Sequence, residues 1–233
     1  MATARILAFD FSFSPLVAVL VEGGTAKASL DAHAGCDRGE MLVAELARLL
    51  ARAGVGWQEI DLFAVARGPG SFTGIRAAVA AARGLSLATG RPVLPLSSLE
   101  VLEAEARARA ATEGPLYVVA PGRHGSWYAQ LFARSGLAAG PPELVDAASL
   151  RERVRAASAV AGVRSGRLAD ELGDRPVVEV TATAQALLRV VTRALAEGRA
   201  AVAGAEMDPL YLRDADADPK AGLPLLERLG LGC

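Results

Sequence analysis

Apolar positions in this chain fall into short continuous runs and into helical stripes, and the change from one to the other sets the predicted order of elements. Arg5-Ile6-Leu7-Ala8-Phe9-Asp10 is an apolar run ending in an acid, Leu16 to Val21 is a second, and both have the length of buried strands. The turn Phe11-Ser12-Phe13-Ser14-Pro15 joins them. Gly23-Gly24 predicts a two-residue hairpin loop into a third strand, Thr25 to Leu30, because such loops demand positive φ angles that glycine accepts. From Gly39 to Ala53 the period becomes helical: Leu42, Leu46, Leu49, Leu50 and Ala53 share one face, Ala44, Ala47 and Ala51 lie opposite, and Gly54 is a natural stop.

Leu62 to Ala66 reads as a buried strand that runs into the glycine-punctuated joint Arg67-Gly68-Pro69-Gly70-Ser71-Phe72-Thr73-Gly74-Ile75-Arg76. An alanine-rich helix, Ile75 to Ala88, follows, and then a short strand, Pro92 to Leu96. Ser97-Ser98-Leu99-Glu100 has the spacing of a capping box, so a further helix is expected to run to about Ala111. After a break at Gly114-Pro115, strands are expected at Leu116–Ala120 and Trp127–Phe132, around the turn Pro121-Gly122-Arg123-His124-Gly125. Beyond Pro141-Pro142 come a short extended piece, a helix over Leu150–Ala156, strands at Ala159–Val163 and Val177–Val180, and a helix over Thr183–Ala196 with Leu187, Leu188, Val191 and Leu195 inward. No internal repeat is visible in the residues themselves.

Three antiparallel strands followed by helix-linked strands form the pattern of the ribonuclease-H-like half of the actin, sugar kinase and heat-shock ATPase folds. The predicted class is therefore α/β, a two-lobe actin-like (ASKHA) fold with mixed sheet and helices. The expected divisions are a ribonuclease-H-like lobe over residues 1–112, a smaller α/β lobe over 113–213, and an acidic tail over 214–233 with a short helical end at Leu225 to Leu229.

The apolar runs are too short for a membrane span, and no basic region leads into an apolar one at the start, so the expected compartment is the cytoplasm. A formal net charge of −1 over 233 residues argues against unaided binding to a polyanion. Cys36 and Cys233 have no ligand spacing, and His33 and His124 have no partner at helical spacing, so no metal site is predicted.

The joint at Gly68 to Arg76 reads either as an anion cradle at a helix N-terminus or as a rigid turn that uses glycine for backbone reasons. No Lys follows Gly74, which excludes a Walker-type phosphate loop. Ser71 or Thr73 suits the helix N-cap better than a nucleophile. Asp10 reads either as a catalytic acid or as a strand-end carboxylate bonded to nearby backbone. In actin-like ATPases the turn after such an Asp holds phosphate, and here Phe11 and Phe13 crowd it.

The stretch Ala66 to Arg76 resembles the signature of the TsaB (YeaZ) family of bacterial proteins needed for tRNA threonylcarbamoyladenosine. Ile6-Leu7-Ala8-Phe9-Asp10, Gly84-Leu85-Ser86-Leu87-Ala88, Ser97-Ser98-Leu99-Glu100 and Pro209-Leu210-Tyr211-Leu212-Arg213 extend the similarity. The chain departs from the family at Phe11-Ser12-Phe13, where small or Thr/Ser residues are usual, and at Pro121-Gly122-Arg123, where Asp-Ala-Arg is usual. The resemblance implies a non-catalytic scaffold in the complex that modifies the adenosine beside the anticodon of tRNAs reading ANN codons. It also implies pairing with the TsaD subunit, TsaE in the larger complex, a homodimer when alone, and tRNA reached only through the complex. No intrinsic cofactor is expected, with room for a nucleotide at a partner interface. Gly68, Pro69, Gly70, Ser71, Thr73 and Gly74 are the expected structural signature loop, and Ala44, Ala47, Ala51, Ala78, Ala82 and Leu85 the expected partner surface. The rival reading is an ATP-binding, kinase-like or acyl-phosphate-handling enzyme of the same fold; a peptidase finds no triad to work with.

Overall fold

The computed structural model describes residues 4–13, 16–31, 39–110, 113–163, 166–173 and 175–212. The expected acidic tail and its helix, His33, Cys36, Lys220 and Cys233 lie outside them.

Strands β1 (Arg5–Asp10), β2 (Val17–Glu22), β3 (Thr25–Asp31), β4 (Leu62–Ala66) and β5 (Val93–Leu96) form one sheet in the order β3-β2-β1-β4-β5. The first three are antiparallel neighbours, Leu7 facing Leu20 in register, and β4 and β5 run parallel to β1. Gly23 and Gly24 have φ of 63° and 77°, as the two-residue hairpin requires. Strands β6 (Leu116–Pro121), β7 (Trp127–Phe132), β8 (Glu143–Val145), β9 (Ala159–Val163) and β10 (Val177–Val180) form a second sheet, β10-β9-β6-β7-β8. Read from β8, it has the order and strand directions of the first.

The helices repeat too. Helices α1 (Leu42–Ala53) and α2 (Phe72–Thr89) flank β4 in sequence as α4 (Ala147–Arg153) and α5 (Gly166–Leu172) flank β9, and α3 (Ser98–Ala110) and α6 (Ala184–Ala196) close the two halves. The two sheets are thus one topology used twice, in the two-lobe actin-like α/β arrangement.

Helices α1 and α2 cover one face of the first sheet, burying Leu7, Phe9, Leu20, Phe63 and Val65. Helix α6 covers its other face, against Ile6, Ala8, Val19 and Leu94, while α3 packs on the second sheet against Leu116, Val118 and Phe132. Each closing helix therefore lies on the sheet of the opposite half. Strands β1 and β4 are buried on both sides, which is why they read as continuous apolar runs rather than alternating ones.

Several local expectations change. Helix α1 starts at Leu42 after a single 3₁₀ turn, Gly39–Met41, and ends on left-handed Gly54. Helix α2 starts at Phe72, three residues before Ile75, because Ser71 already caps it. Helix α4 starts at Ala147, where the Asp146 carboxylate accepts the Ser149 N–H. Helix α5 was not anticipated. Leu195, expected inward, is 44% exposed, because the buried stripe of α6 runs through Leu187, Val190, Val191 and Ala194.

Helix α3 carries buried acids, an arrangement its position between the halves explains. Arg199 grips Glu100 in bidentate fashion at 2.8 and 2.9 Å. The fully buried Glu103 pairs with Arg107 on its own helix and, at 2.9 Å, with Arg193 of α6. Buried carboxylates hold their charge only with such partners. Burial works against the charged form of Glu100, but Arg199 and the Ser97 N–H outweigh it and keep the pKa below the ordinary carboxyl value.

Candidate functional site

The glycine joint is bonded into the protein on every side. The Ser71 N–H donates to the Ser12 carbonyl at 2.6 Å, the Ser98 N–H to the Gly68 carbonyl at 3.0 Å, and the Leu210 N–H to the Arg67 carbonyl at 2.8 Å. Ser71 Oγ accepts the Gly74 N–H at 3.4 Å, so Ser71 rather than Thr73 is the cap. The N–H groups of Ser71 and Gly74, which an anion would need, are therefore already donated inside the protein.

The glycines permit close approach. A Cβ at Gly70 would stand 2.5 Å from the Ser12 carbonyl oxygen, and one at Gly74 would stand 2.0 Å from that of Phe11. Gly74, placed by sequence in the signature loop, lies inside α2 and lets the helix rest directly on the β1–β2 turn. Gly68, Pro69 and Gly70 are buried, while Ser71 and Thr73 are exposed.

Beneath the joint lies a buried polar cluster. Asp10 is 2% exposed and accepts the Ser12 N–H on Oδ1 at 2.8 Å; Ser98 donates to Ser12 Oγ at 2.6 Å and stands 3.5 Å from Asp10 Oδ1. Asp10 Oδ2 has no hydrogen-bond partner among the described residues. Burial raises the Asp10 pKa above the ordinary carboxyl value, and the bonds from Ser12 and Ser98 offset this only in part. Of the two readings of Asp10, the strand-end carboxylate tied to adjacent backbone matches this geometry. Phe11, 4% exposed, belongs to the first core, so the turn that would carry phosphate is packed with side chain.

The outer face of α1 and α2 is different. Gly39, Leu42, Val43, Ala77, Ala80, Ala81, Gly84 and Leu85 line an apolar groove of about 440 Å³. Beside it Leu87 is 89% exposed, with Val43 at 44% and Met41 at 38%. Ala80, Gly84 and Leu87 share one helical stripe at i, i+4, i+7.

The expected partner residues divide between the two sides of these helices. Ala44 and Ala51 are exposed and Ala47 half-buried, all on the outer half of α1. Ala78 and Ala82 are 0% exposed and face the sheet within the first core, closed to a partner, whereas Leu85, 9% exposed, packs in that core and also lines the groove. The correction is one of phase. In an alanine-rich helix nearly every position tolerates burial, so the outward residues, Ala77, Ala80, Ala81, Gly84 and Leu87, are marked in sequence only by the stripe that ends in Leu87.

No cluster of three or more His, Cys, Asp or Glu side chains that could hold a metal occurs among the described residues, and no helix among them is long and apolar enough to cross a membrane.

Fold and site together define the class: a two-lobe, actin-like α/β protein whose inter-strand turn is filled by its own side chains and whose outer helices expose a small-residue apolar groove. Comparison with known proteins refines it. The family model "TsaD: tRNA N6-adenosine threonylcarbamoyltransferase" matches residues 38–148. The chain is 31% identical over 102 residues to the tRNA threonylcarbamoyladenosine biosynthesis protein TsaB of Haemophilus influenzae, covering 44% of this chain and 43% of that one. It is 32% identical over 97 residues to the protein of the same name from Escherichia coli, covering 41% of each. The matched stretch thus spans about two-fifths of the length of these curated relatives. The solved structure of YeaZ from Pseudomonas aeruginosa superimposes with a TM-score of 0.74 at 28% identity, over 90% of this chain and 100% of that one. The resemblance read from Ala66 to Arg76 is upheld: the chain is similar to TsaB proteins in sequence and to YeaZ in fold.

Proposed function

We propose that the chain is a non-catalytic subunit of the machinery that places threonylcarbamoyl on the adenosine beside the anticodon of tRNAs reading ANN codons, and that it seats a TsaD-type transferase on the outer face of α1 and α2. The observation that carries this reading is the apolar groove along Ala77, Ala80, Ala81 and Gly84 with Leu87 exposed beside it. Small residues let a partner helix approach closely, and burying one leucine of this exposure contributes about 1.5–3 kcal/mol. The names of the relatives, a TsaB biosynthesis protein and a TsaD transferase model, support this choice of substrate class and partner. In this reading the same face pairs two copies when the partner is absent, TsaE joins the larger assembly, and the chain acts in the cytoplasm.

The kinase-like alternative has to find room for phosphate at a turn where Phe11 is buried and the Ser12 carbonyl is bonded to Ser71. Reconstitution tests the proposal. Purified TsaD, TsaE, the carbamoyl-adenylate synthase, ATP, threonine and tRNA are expected to yield the modified adenosine only when this chain is added. Product formed equally well without it overturns the scaffold role, and steady ATP turnover by the chain alone favours the kinase-like reading.

A further inference from the structure

Three segments distant in sequence bring two aromatic rings and two arginines together where the halves of the molecule meet. Phe72 opens α2, Arg76 follows one turn later, Arg123 comes from the turn between β6 and β7, and Tyr211 lies beyond the last described helix. The Phe72 and Tyr211 rings stack with centroids 5.6 Å apart at an interplanar angle of 29°. The Arg76 guanidinium lies over the Phe72 ring at 4.8 Å and that of Arg123 at 5.5 Å. Tyr211 is 44% exposed and both arginines are exposed. Neither arginine stands in an ion pair with a carboxylate of the described residues, whereas Arg5, Arg48, Arg151, Arg193 and Arg199 all do.

We propose that Phe72, Arg76, Arg123 and Tyr211 form a contact for single-stranded RNA, in which an unstacked base extends the Phe72–Tyr211 stack and the two guanidinium groups hold the flanking phosphates. Planar guanidinium groups without carboxylate partners suit phosphate oxygens. An exposed tyrosine already stacked on one face offers the other to a base. The site is an open surface that joins α2 to the β6–β7 turn, which suits a strand passing over it rather than an enclosed mononucleotide. A chain with net charge −1 has no general field to attract RNA, so this contact adds to whatever a partner subunit supplies. The choice of RNA rests on the proposed role in tRNA modification. The contact goes beyond that role, because it has this chain touch the substrate directly instead of reaching it only through the complex.

The test is the binding of a fluorescein-labelled anticodon stem–loop RNA to the full chain, read by anisotropy at several salt concentrations. Arg76→Ala and Arg123→Ala are each expected to weaken binding about 3- to 10-fold and to flatten the slope of log K against log salt by roughly 0.7. Tyr211→Ala is expected to weaken it about tenfold with the slope unchanged, and Tyr211→Phe to restore it. Absence of RNA binding by the native chain overturns the proposal. So does unchanged affinity in Arg76→Ala/Arg123→Ala with lowered thermal stability, which would make the cluster only a brace between the halves. Equal binding of a blunt duplex, or full displacement of the RNA by ADP, also overturns it, the second in favour of a free-nucleotide site. Pairing with TsaD, measured on the same proteins, reports separately on the scaffold reading, which fails if pairing is absent whatever the RNA result.

Discussion

The first and second sheets share strand order, strand direction and helix order, yet their outer helices differ in length and in how much apolar surface they expose. On the first, α2 is 18 residues long and, besides the exposed Arg76 and Arg83, its outer side carries Ala77, Ala80, Ala81, Gly84 and Leu87. On the second, α4 and α5 have 7 residues each, and charged pairs dress their surroundings, Arg151 with Glu171 at 2.6 Å and Arg153 with Glu143 at 2.5 Å. Exposed pairs of that kind contribute about 0–1 kcal/mol each. Their effect is to keep the surface wet. Topology therefore says nothing about which outer face binds; the residues at the outward positions decide it. The inner helices show the converse, since α3 and α6 are exchanged between the sheets, tied to each other by the Glu103–Arg193 pair and, just past the end of α6, by Glu100–Arg199. The two halves thus share packed interior helices while their exteriors differ.

The two outer helices differ most between a buried alanine of α2 and an exposed one of α5. Ala82→Glu puts a carboxylate into the first core and is expected to cost about 4 kcal/mol or more, whereas Ala169→Glu on exposed α5 is expected to stay within about 0.5 kcal/mol of the native chain. Urea titrations check both, and a folded Ala82→Glu chain would show that α2 is wrongly phased.

Glycines of one helix give the next contrast. Gly74→Ala has to displace the Phe11 carbonyl and is expected to cost about 3 kcal/mol. Gly84→Ala meets open space and is expected to raise stability by up to about 1 kcal/mol through helix propensity. If Gly84 serves a partner, that more stable variant pairs less tightly, so thermal stability and pairing move in opposite directions. Parallel movement of the two would remove Gly84 from the interface.

A smaller, pH-dependent effect belongs to Asp10. Its folded pKa is raised by burial, so its contribution to stability is fully present below the unfolded pKa of about 3.9 and is lost as pH rises through the folded value. Asp10→Asn keeps an acceptor for the Ser12 N–H and removes the charge. Its melting temperature relative to the native chain is therefore expected to climb from mildly acid to neutral pH, and a flat difference would mean that Asp10 ionises normally.

Much of this was legible in the residues where a local rule had one solution. Gly23-Gly24 predicted the hairpin, Gly54 the end of α1, and Ser97 with Glu100 a box that forms, the Ser97 N–H donating to Glu100 at 3.0 Å and Ser97 Oγ accepting the Leu99 N–H at 3.3 Å. The phase of α2 was not legible, because alanine is nearly indifferent to burial. Nor was the doubling of the topology, which repeats strand order without repeating residues. Helix α5 has a single fully buried leucine, Leu168, too little for a stripe. The Arg76–Phe72–Arg123–Tyr211 cluster could not be read from spacing, since its members meet only through the fold.

Leu87→Glu measured against Ala169→Glu probes the α1–α2 face most directly, with affinity for a TsaD-type subunit read by sedimentation and folding by thermal melting. Leu87 is 89% exposed, so Leu87→Glu is expected to melt within about 2 °C of the native chain. Pairing is expected to weaken at least about 100-fold for Leu87→Glu, by lost burial and an unpaired carboxylate, and to stay unchanged for Ala169→Glu. Native-strength pairing by Leu87→Glu would contradict the assignment of the α1–α2 face.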